Sequence, residues 1–233
     1  MERRDFVKLC AASCAATTLP TDAQAQSLKA RLYGKARLVD ERGDPVRAAA
    51  LKPGVNYVFD YPFAATPCFL LRLPKPAGAG ADLRTEGGQA YRWEGGAGPD
   101  KTIVAYSAIC AHKLTYPTKQ VSFIGYRNAP SPVAGNGQVI TCCSDRSVYD
   151  PYAGARVVAG PAPQPLAAIL LEHDPKTDEL FAAGTFGGEM FDKFFEKFGF
   201  RLQLEMGDRA RSAVRDRAVV RELAAYSSQW AQC

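Results

Sequence analysis

Apolar and polar positions alternate over short stretches through most of the chain. From Val55 to Tyr61 large apolar side chains fall at every second residue, the pattern of a half-buried strand, after a turn at Leu51-Lys52-Pro53-Gly54. Cys68 to Leu73 is expected as a second strand. Further short strands are expected at Ile103–Tyr106, Val121–Ile124, Val139–Thr141, Arg156–Val158, Leu166–Leu171 and Leu180–Ala183. The polar segment from Glu172 to Asp178 reads as the hairpin turn between the last two. Pro74 to Asp100 carries seven glycines and three prolines with little periodicity, so a long surface loop is expected there. Short strands at this spacing predict an all-β protein, an antiparallel sandwich or barrel.

The pattern changes from Glu189 onward. Phe191, Phe194, Phe195 and Phe198 fall at i, i+3, i+4 and i+7, one face of a short helix expected to pack on the β body. Residues 208–226 interleave Arg209, Arg211, Arg215, Arg217 and Arg221 with Asp208, Asp216 and Glu222, and a solvated helix is the expectation. The division expected is 1–25 as an export signal, 26–188 as the β domain and 189–233 as a helical tail.

Composition narrows the function classes. Twenty-nine Lys and Arg against 24 Asp and Glu give a net charge of +5, too modest and scattered for a nucleic-acid binder. Only two histidines are present, which excludes a site built from several imidazoles. No apolar run reaches the length of a membrane-spanning helix. Arg3-Arg4 followed by Phe6, Val7 and Lys8, a weakly apolar stretch from Leu9 to Leu19, and Ala23-Gln24-Ala25 together form a twin-arginine export signal, so a periplasmic location is expected. That route carries folded proteins, often with a cofactor already inserted. Removing residues 1–25 takes Cys10 and Cys14 with it and leaves five cysteines, an odd number that argues against a complete disulfide framework.

The chemistry concentrates in two segments, Tyr106 to His112 and Cys142 to Asp150. Cys110 and His112, two apart after a strand, can both reach one small metal centre; Cys142 and Asp145 have the spacing of a second ligand pair. Cys68 reads as a buried apolar thiol, Cys233 as a free terminal thiol or an intermolecular crosslink, and His173, in a polar turn, is given no ligand role. Asp150 is expected to cap the turn that follows the second segment.

On these residues the chain resembles the Rieske iron–sulfur family, whose signature is C-x-H followed by C-x-x-H. Ser147-Val148-Tyr149-Asp150 matches the segment after the second pair, and Gly160-Pro161-Ala162-Pro163 the proline loop over the cluster. Tyr61-Pro62, Pro67-Cys68 and the run from Gly98 to Ser107 are most similar to the small subunit of periplasmic arsenite oxidases, a family that partners a molybdenum-containing large subunit. The resemblance covers roughly residues 50–188. It implies a Rieske-type sandwich or barrel with an inserted cluster-binding subdomain at about 103–165. It further implies a 2Fe–2S cluster on Cys110, His112, Cys142 and Asp145, with the Ser147 hydroxyl on a bridging sulfide and the Tyr149 hydroxyl on a cysteine sulfur. The implied role is single-electron transfer between a periplasmic oxidoreductase and a cytochrome c-like acceptor.

The departures matter equally. Asp145 stands where the family has its second histidine, and the loop-bracing disulfide many members carry would join positions 115 and 144, here Thr115 and Ser144. Tyr126 to Gly137 reads as an insertion. A carboxylate can coordinate ferric iron; Cys143 is a competing fourth donor, a zinc site with the same residues is chemically allowed, and a metal-free relative that kept the fold is a further alternative. A quinol-oxidising subunit fits less well, because its second histidine meets the quinol. An oxygenase would need two further histidines and a carboxylate, and only His173 is left.

Overall fold

The computed structural model describes residues 29–233; the export signal and Cys10 and Cys14 lie outside them. The first strands are β1 (Arg31–Val39), β2 (Tyr57–Asp60) and β3 (Pro67–Arg72), followed by a hairpin of β4 (Ala81–Arg84) and β5 (Ala90–Trp93). Next come β6 (Ile103–Ser107), β7 (Val121–Ser122), β8 (Ile124–Arg127), β9 (Val139–Cys142), β10 (Ser147–Asp150) and β11 (Arg156–Ala159). A long hairpin of β12 (Ala168–Asp174) and β13 (Glu179–Phe186) leads into helix α1 (Met190–Met206). The chain ends with β14 (Asp216–Val219), β15 (Arg221–Glu222), the single turn α2 (Leu223–Tyr226) and β16 (Gln229–Trp230).

The larger sheet has eight strands in the order β14-β1-β13-β12-β6-β3-β2-β15, and it curls until β14 approaches β2 at the far edge. The smaller sheet, β11-β10-β9-β8, is inserted between β6 and β12. The fold is thus all-β, with a nearly closed main sheet, an inserted subdomain and a helix in the C-terminal region. No described helix is long and apolar enough to cross a membrane.

The continuous apolar character of β3 has a simple cause. Phe69 and Leu71 enter the core shared with the smaller sheet, while Cys68 and Leu70 point into the interior of the curled sheet. β6 divides the same way, Val104 and Tyr106 to one core, Ile103 and Ala105 to the other. Asn56 ties the two sheets together. Its buried amide donates to Tyr126 O at 2.9 Å and accepts from Tyr126 N–H at 2.7 Å, satisfying backbone groups that the end of β2 could not reach.

Three sequence expectations need correction. Pro74–Asp100 is not a bare loop: the β4–β5 hairpin buries Leu83, Tyr91 and Trp93 in the main core. The strand β1 was not expected, because its buried Ala36 and Leu38 alternate with basic residues. Residues 208–226 are not a solvated helix; they supply β14, parallel to β1, and β15, antiparallel to β2. The phenylalanine helix is where its spacing put it. Phe191, Phe194 and Phe195 are buried and Phe198 is partly so, all against Ile109, Leu114 and Tyr116 of the β body.

Candidate metal centre

The two loops that carry the candidate donors fold alike, although one leaves the main sheet and the other joins two strands of the small one. After β6 the carbonyl of Cys110 accepts the N–H of Leu114 at 2.9 Å, and Leu114 takes a left-handed backbone with φ of 59°. Between β9 and β10 the carbonyl of Cys142 accepts the N–H of Arg146 at 2.8 Å, and Arg146 has φ of 63°. Each loop is therefore a one-turn reversal with a cysteine at its start and a left-handed residue four positions on. A non-glycine residue there costs on the order of 1 kcal/mol, so packing must hold it. His112 sits two residues into the first loop and Asp145 three into the second.

These turns bring Cys110, Cys142 and Asp145 together: one donor atom from each lies within 4.8 Å of the other two. His112 joins through Asp145, its Nδ1 lying 3.2 Å from Oδ2. The carboxylate is 1% exposed, whereas the imidazole is 37% exposed, so the centre has a sealed side and one open edge. Asp145 also receives the Cys110 thiol at 3.1 Å and the Ser147 N–H at 2.9 Å. Burial pushes its carboxyl pKa up, but the hydrogen bonds from Cys110 and Ser147 outweigh it and the net direction is down. Between the paired thiols, the bond from Cys142 favours the Cys110 thiolate, and Cys142 is raised correspondingly by Cys110 and by burial.

The surroundings fit a group larger than a proton network. Ser147 Oγ is buried without a hydrogen-bond partner, an orphan next to the donor set. Tyr149 Oη lies 3.3 Å from Cys110 Sγ and accepts the Ala111 N–H at 3.1 Å. The proline loop closes over the second turn at Gly160, where φ is 87° and a Cβ would meet Arg146 O at 2.5 Å and Ser147 Cα at 2.6 Å. Two thiols, an imidazole and a carboxylate, with an unpaired hydroxyl at the side, suit an iron–sulfur group that offers sulfide acceptors.

The remaining residues singled out from sequence fall elsewhere. Cys68 is fully buried, its thiol donating to Tyr61 O at 2.9 Å. His173 is paired with Asp178 at 2.7 Å in the β12–β13 turn region. Asp150 caps the turn after β10 by accepting the Tyr152 N–H at 2.9 Å. Cys143 and Cys233 correct the sequence reading. They form an intramolecular disulfide, so Cys143 is not a fourth donor and Cys233 is neither free nor an intermolecular link. The signal was present in the sequence: two ligand cysteines and a core thiol leave two of the five to account for.

No protein-family model matches the chain. Among solved structures it is similar to the soluble domain of the Rieske protein II (soxF) from Sulfolobus acidocaldarius, at 27% identity and a TM-score of 0.46, over 66% of this chain and 78% of that one.

Proposed function

We propose that this chain is an exported electron-transfer protein of the Rieske type, holding a 2Fe–2S cluster through Cys110, His112, Cys142 and Asp145. The observation that carries the reading is the convergence of Cys110, Cys142 and Asp145 within 4.8 Å beside the orphaned Ser147 hydroxyl. A sulfide-bearing group would give that hydroxyl an acceptor.

When bound, the cluster supplies a one-electron reservoir. The protein's own residues set its energetics and its access. Asp145 adds a negative charge that disfavours the reduced state, and the Ser147 and Tyr149 hydroxyls oppose it by donating toward sulfur. Gly160 and its proline loop press on the second turn at Arg146 and Ser147. The exposed edge of His112 is the exit, beside exposed Lys113, whose carbonyl accepts from Lys197, two positive side chains suited to an acidic face on a partner. Chemistry on a substrate belongs to that partner, a periplasmic oxidoreductase with a large subunit that contains molybdenum in the arsenite-oxidase family, with a cytochrome c-like protein as the other terminus. The twin-arginine motif at Arg3-Arg4 supports export of the folded, loaded chain.

Iron and acid-labile sulfide analysis of the full chain, isolated from cells able to assemble clusters, tests this reading. Equal amounts of both are expected. Zinc in place of iron, or no metal, would overturn it.

A further inference from the structure

The residues after α2 run as a strap over the small sheet. Ser227 Oγ donates to Thr118 O at 2.6 Å, Ser228 N–H to Lys119 O at 2.9 Å, and Ala231 N–H to Ser122 O at 2.9 Å. Between them β16 lies parallel to β7, Gln229 opposite Val121 and Trp230 opposite Ser122. The Trp230 indole fills the space above Gly125, where a Cβ would come within 2.7 Å of Nε1, and the Arg127 guanidinium lies over its ring at 5.6 Å. The strap ends in the bond from Cys233 to Cys143, with Cα atoms 5.6 Å apart. Cys143 directly follows Cys142 and lies two residues before Asp145, and its own N–H is bound to Phe123 O at 2.7 Å. The crosslink therefore holds the loop that carries half the donor set.

We propose that the C-terminal strap and its disulfide are a positioning device for the metal centre. The crosslink fixes the Cys142–Ser147 turn in its ligating shape and keeps the sulfur of Cys143 out of the donor set, leaving the fourth position to Asp145. Its effect on metal rests on the site reading given above; its effect on the turn does not. The helix serves the first loop in a parallel way. Ile109 and Leu114, on either side of Cys110 and His112, pack against Phe191, Phe194 and Phe195, and Lys197 Nζ donates to Lys113 O at 2.8 Å. The region from residue 189 onward thus contacts both loops and adds edge strands to the main sheet.

The test compares the full chain with Cys143→Ser/Cys233→Ser and with Cys233→Ser alone, by peptide-resolved hydrogen exchange and by titration of the metal-free protein with Co(II). In the double variant, amides of 141–147 and 121–127 are expected to exchange about tenfold faster while β3 and β6 keep their protection, and Co(II) binding is expected to weaken about tenfold. The single variant, with Cys143 released as a thiol, is expected to show stronger thiolate-to-Co(II) absorption than the double variant. Unchanged exchange in the double variant overturns the proposal whatever the metal result. A wild-type chain that binds neither Co(II) nor iron overturns the metal reading, and exchange then decides the brace alone. Should the double variant also lose protection in the main sheet, Trp230→Ala decides, since it leaves the crosslink and loosens the strap that carries it: faster exchange at 141–147 supports the brace, no change there overturns it.

Discussion

Asp145 brings a nearly sealed carboxylate beside two thiols and an imidazole, and on the proposed ligand assignment its charge would set the direction of the centre's redox behaviour. Asp145→His replaces an anionic donor by a neutral one, so the reduction potential is expected to rise; a redox titration showing no rise would contradict the ligand assignment. The hydroxyl of Ser147 works in the opposite sense. Ser147→Ala is expected to lower the potential while iron content is retained, because the variant loses a donor to sulfur and no ligand. Far from the centre, Asp60 makes a separate, pH-dependent prediction. Burial raises its pKa to about 7, Arg221 only partly opposing this. The folded chain thus holds a proton that the unfolded chain, with the carboxyl near 3.8, has released. Its contribution to stability is full below that value and is lost as pH rises from about 4 through 7, on the order of 2 kcal/mol since part of the residue still meets water. Unfolding of Asp60→Asn, followed by urea at several pH values, is expected to show a flatter slope across that window. An unchanged slope would show that Asp60 does not titrate there. Residue type and spacing singled out Cys110, Cys142 and Asp145, which the fold brings together; Ser147 was singled out only through the family resemblance. Asn56 and the partner of Cys143 were not legible, because their roles depend on segments 70 and 90 residues away that only the folded topology brings near.

Among the elements, those with an unbroken period were legible and those with mixed faces were not. β3 and β6 carry apolar runs because both of their faces are covered. β1 hides its buried residues among Arg and Lys whose stems lie along the sheet, and its charged heads reach water or ion pairs such as Lys35 with Glu172 at 2.6 Å. The β4–β5 hairpin was masked by glycines that serve its turns: Gly80 and Gly88 have φ of 107° and 80°. The C-terminal arginines suggested a helix, but the short strands of that region draw their stability from edges of the main sheet rather than from their own period. Two element-level outcomes follow from packing. Phe194→Ala removes a fully buried ring from between α1 and the first ligand loop, and a loss of about 3–5 kcal/mol is expected in denaturant unfolding. Gly160→Ala forces a Cβ into backbone at a positive φ, so a loss of about 2 kcal/mol or more is expected. A Gly160→Ala chain as stable as the parent would mean that the proline loop does not sit on the second turn.

At the scale of the molecule, the fold sets two loops from different sheets against each other and closes the arrangement from outside with the C-terminal region. The sealed carboxylate and orphaned hydroxyl lie inward and His112 lies outward, the polarity that the proposed electron-exchanging centre requires. The central claim is that this interior holds a mixed-ligand iron–sulfur cluster with a carboxylate donor. Electron paramagnetic resonance of the dithionite-reduced full chain, run beside Asp145→Ala, tests it most directly. A rhombic signal is expected, with an average g lower than that of an all-cysteine cluster and with components that shift or disappear in the variant. An all-cysteine spectrum, or a signal the variant leaves unaltered, would contradict it.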